Sequence, residues 1–194
     1  MTAPSVKPAA TAQTGVWVGI AAIAMSFAAY SSALVVRQSA SPDWRHFDLP
    51  RILFFNTFIV LASSATLYVA RPRTRSTVDR SGALTAIDAP HLTWLYLTTA
   101  LGLLFLAGQV AAWRNLVDQG ITLASNPSSS FFYLLTAMHG LHLLGGLGGL
   151  IYVVHRVRRS SAARALSAYR AASLYWHFMT VLWLYLLAIL ITRI

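Results

Sequence analysis

The chain has 194 residues, 57% of them hydrophobic and only 10% charged, with a formal net charge of +10 and no cysteine. A soluble domain carries about 25% charged residues, so this composition excludes an ordinary globular domain, and the missing cysteines exclude disulfides and thiolate chemistry. The basic residues sit in short clusters beside apolar runs, the pattern of loops facing anionic lipid rather than of a nucleic-acid-binding surface.

The first 14 residues, MTAPSVKPAATAQT, are small and rich in Pro and Ala, and predict a disordered tail (1–14) ahead of a single domain (15–194). Five apolar windows follow, at 15–36, 52–70, 91–113, 131–154 and 173–192. Each is close to the roughly 20 residues needed to cross the hydrocarbon core. Each is read as a helix, because a spanning segment must satisfy its own backbone hydrogen bonds. The first window exceeds the about 7–15 apolar residues of a signal peptide. The second opens after Pro50 and Arg51 and carries Asn56, Thr57, Ser63 and Ser64 at helical spacing. The third runs up to Trp113. The fourth holds MHGLHLLGGLGGL, in which His139 and His142 share a helix face and Gly145 and Gly149 form GxxxG, a pattern that lets helices approach closely. The fifth begins shortly before Trp176 and His177. Trp44, Trp94, Trp113 and Trp176 fall near window ends, as an aromatic belt requires. The predicted fold is all-α: an integral membrane bundle of five transmembrane helices.

Arginine and lysine set its orientation. Lys7, then Arg71, Arg73, Arg75 and Arg80, then Arg156, Arg158, Arg159, Arg164 and Arg170 share one side. Arg37, Arg45, Arg51, Arg114 and Arg193 occupy the other. The bias predicts a cytoplasmic N-terminus and an outside (periplasmic) C-terminus.

The sequence contains no glutamate, and all five aspartates (Asp43, Asp48, Asp79, Asp88, Asp118) lie outside the five windows. A proton-coupled transporter normally needs a carboxylate at depth. The histidines are the remaining candidates. His142 lies near the middle of its window and His177 near the start of the next. At about 1.5 Å per residue they differ in depth by roughly 12 Å, too far to share a haem iron. Two histidines on one helix also fall short of the about four ligands of a closed zinc site. The residues therefore read as a packed bundle whose imidazoles hydrogen-bond to neighbouring backbone or hydroxyls, with no catalytic, cofactor or metal residue.

Several stretches resemble subunit III of haem-copper cytochrome oxidases in its five-helix bacterial form. The best are FFYLLTAMHGLHLLGGLGGLIY and LYWHFMTVLWLYLL. LPRILFFNTFIVLASS resembles the family's second helix, and GVWVGIAAIAMSFAAY is loosely similar to its first. The chain departs from that pattern at three acid positions, which here hold Ile23, Ala112 (in QVAAW) and Thr180. The resemblance implies structural, lipid-contacting or interface roles for Arg51, Asn56, His139, His142, Gly145, Gly149, Trp176 and His177. It also implies a cofactor-free subunit of an oxidoreductase complex in the bacterial inner membrane, with haem and copper in partner subunits. Such a chain binds phospholipid and stabilises catalytic subunit I, alongside subunit II. A quinol oxidase subunit III and an accessory protein of a nitric oxide reductase fit the same pattern. A small solute carrier and a di-haem membrane cytochrome are the readings from other classes.

Overall fold

The structure, a computed structural model, describes residues 8–40, 42–71, 89–159 and 162–194. Among these residues it is all-helical, with α1 (Pro8–Ala40), α2 (Ile52–Val69), α3 (Ala89–Asp118), α4 (Pro127–Arg159) and α5 (Ala162–Arg193). All five are long and apolar enough to cross a membrane. Residues 1–7 of the expected tail lie outside the described residues, as do Asp79, Asp88, Arg73, Arg75 and Arg80. Residues 8–14 are helical and belong to α1.

Four of the five helices overrun their apolar windows, because a helix continues past the hydrocarbon wherever its turns find partners. The extension of α4 starts at an Asn-Pro pair. Asn126 caps the helix by accepting from the Ser129 N–H at 2.9 Å, Ser129 Oγ returns a bond from the Asn126 N–H, and Pro127 takes the first helical position. At its other end Arg156 bonds the Tyr152 hydroxyl and Arg158 lies over the Tyr96 ring, so both charges leave the apolar zone along aromatic surfaces. The N-terminal extension of α5 holds Tyr169, whose hydroxyl donates to the Leu67 carbonyl at 2.6 Å. Asp118, outside the third apolar window, is the last residue of α3. That helix ends where Gly120 turns to φ +78° and the Ile121 and Gly120 N–H groups bond the carbonyls of Leu116 and Val117, a left-handed turn that glycine adopts without strain.

Helices α2 and α3 pack on one another most extensively, α4 packs on α5, and α1 rests against α5 and α4. The core is built on Trp176, Trp183, Phe27, Phe105 and Phe132, all fully buried. Many large side chains face outward, including Phe55, Phe58, Met25 and Leu141. In water such a surface would aggregate; against lipid it is the expected exterior.

Candidate functional site

The polar residues of the apolar segments are used mostly to tie helices together. Along α5, Tyr169, Trp176 and Trp183 recur every seven residues, so they line one face. Each donates from its ring to α2: Tyr169 to the Leu67 carbonyl, Trp176 Nε1 to Ser63 Oγ (3.0 Å) and Trp183 Nε1 to Thr57 Oγ1 (3.0 Å). Ser63 Oγ passes its own proton to the Thr98 carbonyl of α3, and Thr66 and Thr98 share a further bond at 2.9 Å. On the other flank Trp113 Nε1 donates to Thr136 on α4, and the Tyr175 hydroxyl donates to the His142 carbonyl. In hydrocarbon no water competes for these groups, so each link orients a helix pair.

Trp176 therefore sits at the centre of the bundle, fully buried, and not in an interfacial belt. The expectation failed because α5 begins at Ala162, well before the apolar window, which places Trp176 deep in the helix. Its ring is clasped by two glycines. A Cβ added to Gly102 would stand 2.7 Å from the Trp176 ring, and one on Gly146 would stand 3.2 Å from it.

The same comparison relocates the close helix contacts. A Cβ on Gly145 would meet only the Tyr175 hydroxyl at 3.9 Å, and one on Gly149 would meet nothing within 4 Å. The tight glycines inside the chain are Gly102, Gly108 and Gly146. At Gly108 a Cβ would stand 2.0 Å from Asn56 Oδ1. A GxxxG spacing records small residues on a face, but the rotation of the helix decides whether that face meets another helix of the chain.

Three of the histidines named from sequence point to three different places. His142 Nδ1 donates to the Met138 carbonyl of its own helix at 2.7 Å, and its ring meets Phe27. His177 Nδ1 shares a 2.6 Å bond with Ser64 Oγ. His139 is fully buried between Phe105 and Trp183, and no described residue offers a hydrogen bond to either ring nitrogen. The expectation that each imidazole bonds a neighbouring backbone group or hydroxyl is thus wrong for His139, whose neighbours are aromatic walls. Depth also separates His142 and His177 less than the windows implied, since Gly146 on α4 backs onto Tyr175 and Trp176. Their orientation keeps them apart. Among the described residues no three His, Cys, Asp or Glu side chains are grouped to hold a metal ion.

Arg51 is exposed at the N-terminus of α2, where it makes no side-chain cap. It borders a surface hollow of about 790 Å³ that also contacts His46, Asp48, Phe54 and Ile194. Beside it the α1–α2 loop is strapped to the end of α5: Trp44 Nε1 donates to the Arg193 carbonyl, and His46 Nδ1 and the Phe47 N–H donate to that of Ile194. The three positions where the resemblance leads to acids are occupied without charge. Ile23 packs against the core, Ala112 is fully buried, and Thr180 Oγ1 donates to the Trp176 carbonyl.

The sequence places Gly146 beside the GxxxG pair as a small residue that lets a helix approach, but it gives no role to Gly102, Gly108, Gln109, Tyr169 or Trp183. The seven-residue spacing of Tyr169, Trp176 and Trp183 was the available signal for the ring donors. Nothing comparable marked Gly102 and Gly108.

Fold and site together define a multi-pass helical membrane protein whose polar interior serves helix packing. Residues 19–192 match the family of cytochrome c oxidase subunit III, and the chain belongs to that family. A probable cytochrome c oxidase subunit 3 of Mycobacterium tuberculosis is 37% identical over 98 residues, half of this chain and 48% of the relative. The match thus spans about half the length of that mycobacterial protein. A cytochrome c oxidase subunit 3 of Synechocystis sp. is 30% identical over 178 residues, covering 89% of this chain and 71% of the relative. A probable quinol oxidase subunit 3 of Staphylococcus haemolyticus is 30% identical over 149 residues, covering 72% and 65%.

Proposed function

We propose that the chain is the non-catalytic, cofactor-free subunit III of a bacterial haem-copper terminal oxidase in the inner membrane. It docks on catalytic subunit I beside subunit II, which carry the haem and copper, and stabilises the catalytic subunit during aerobic electron transport. Its N-terminus is cytoplasmic and its C-terminus periplasmic, following the arginine bias. Phospholipid covers its outward aromatic and aliphatic faces. The observation that carries this reading is the family match from residue 19 to residue 192. It is supported by a polar interior spent on links such as Trp176–Ser63 and Trp183–Thr57. Quinol is the second electron donor to consider, because the Staphylococcus haemolyticus relative bears that name.

Affinity purification of the tagged chain from its native membranes, in mild detergent, tests the proposal. The expected result is a co-purifying complex with haem absorbance that consumes oxygen with reduced cytochrome c. Oxygen consumption with quinol alone favours the second reading. A chain that purifies with no haem-bearing partner overturns both.

A further inference from the structure

Asn56, Gln109 and His139 come from three different helices, are at most 2% exposed, and carry side-chain nitrogens and oxygens to which no described residue offers a hydrogen bond. A chain of contacts puts them at one level of the bundle. The Asn56 amide lies against Gly108, the neighbour of Gln109. One turn back on the same buried face, Phe105 meets His139 at 5.9 Å between ring centroids and Trp183 at 4.9 Å. The Trp183 ring lies 5.3 Å from that of His139, tilted by 37°, and donates its one N–H to Thr57, which follows Asn56.

Buried amides and imidazoles are almost always hydrogen-bonded, and these three bring both donors and acceptors. Their surroundings cannot serve them. Phe105 and the Trp183 face are aromatic, the Trp183 N–H is committed, and Asn56 is pressed against a backbone. The ligand must therefore be small, because the cluster is closed to the surface, and able to give and receive protons. It must also be neutral, because the one carboxylate of the four surrounding helices, Asp118, is exposed at the end of α3 and cannot balance a buried cation. Water meets all three requirements, needing only two to four polar partners. We propose that ordered water occupies this junction of α2, α3, α4 and α5, bound by the amides of Asn56 and Gln109 and the imidazole of His139.

Pulsed X-ray hydroxyl-radical footprinting of the full chain in lipid nanodiscs reads this directly, since bound water is split where it sits and labels the nearest reactive rings. Trp183 and Phe105 should be labelled several-fold faster than Phe132, which is equally buried in a different aromatic cluster. Labelling of all three at the same low rate overturns the proposal. The variant Gln109→Met keeps side-chain length and removes the amide. With water bound, it strips a partner from the site, so the thermal midpoint falls and Trp183 labelling slows. In a dry junction it replaces an unpartnered amide with an apolar group, and an unchanged or higher midpoint would overturn the proposal. If the variant fails to fold, the comparison of Trp183 with Phe132 in the natural chain still decides.

Discussion

Replacing Gly108 with alanine tests the α2–α3 contact. The new methyl would stand 2.0 Å from Asn56 Oδ1 and 2.8 Å from its Cγ, well inside contact distance. Asn56 is fully buried, so relief requires its amide to turn against packed neighbours or the two helices to move apart. Overpacking of this kind costs about 1–3 kcal/mol. Alanine also favours the helix over glycine by up to about 1 kcal/mol, which a bare comparison with the natural chain would mix in. Gly149→Ala is the reference, because it carries the same propensity gain and its methyl meets nothing within 4 Å. The difference between the two variants is then the clash, a factor of roughly 5 to 150 in the folded-to-unfolded ratio at about 1.4 kcal/mol per tenfold. The assay is reversible unfolding of the chain in mixed micelles of lipid and increasing SDS, followed by tryptophan fluorescence. Truncating the partner in Asn56→Ala/Gly108→Ala should recover most of the loss, since the added methyl then has room. Equal stability of Gly108→Ala and Gly149→Ala, or a double variant no better than the single, would refute the reasoning.

Trp176→Phe deletes the Trp176–Ser63 bond and Ser63→Ala deletes both that bond and the one to the Thr98 carbonyl, so the double variant should cost little more hydrogen-bond energy than Ser63→Ala alone, at about 0.6 kcal/mol on average for each such bond in membranes; SDS titration of the cycle measures the coupling, and fully additive losses would contradict a shared bond. Gly146→Leu should break the α4–α5 clasp on Trp176 and red-shift tryptophan emission, whereas Gly149→Leu leaves the spectrum unchanged; the reverse order would reinstate Gly149 as an internal contact. Gly120→Ala places a side chain at φ +78° and should destabilise by about 1–2 kcal/mol, the cost of a left-handed residue; thermal melts showing no loss would mean the turn relaxes. The chain purified without partners should hold no stoichiometric haem, copper or zinc, which elemental analysis and a pyridine haemochrome spectrum check.

Sequence alone determined the number of spans, their helical state and the absence of any carboxylate from the apolar windows. Hydrocarbon as a solvent dictates all of these: length and apolarity decide what crosses, and an unsatisfied backbone forces helix. It also held signals that an apolar-window reading passes over. The Asn-Pro pair at 126–127 starts α4 ahead of the greasy run, and the spacing of Tyr169, Trp176 and Trp183 marks a face of α5. Only the tertiary structure decided which glycines are tight, where each imidazole points, and that Trp176 is the centre of the bundle rather than its rim. The reason is the uniformity of membrane helices. In a soluble helix the polar side announces which face is outside, whereas here the lipid-facing and packed sides are both apolar. Gly145 and Gly149 have the same local sequence character as Gly146, yet a small rotation of α4 sets Gly146 against the Trp176 ring and leaves open space where a Gly149 side chain would begin. Rotation about a helix axis is settled by the neighbours' side chains and their few hydrogen bonds, and those partners come from distant parts of the chain.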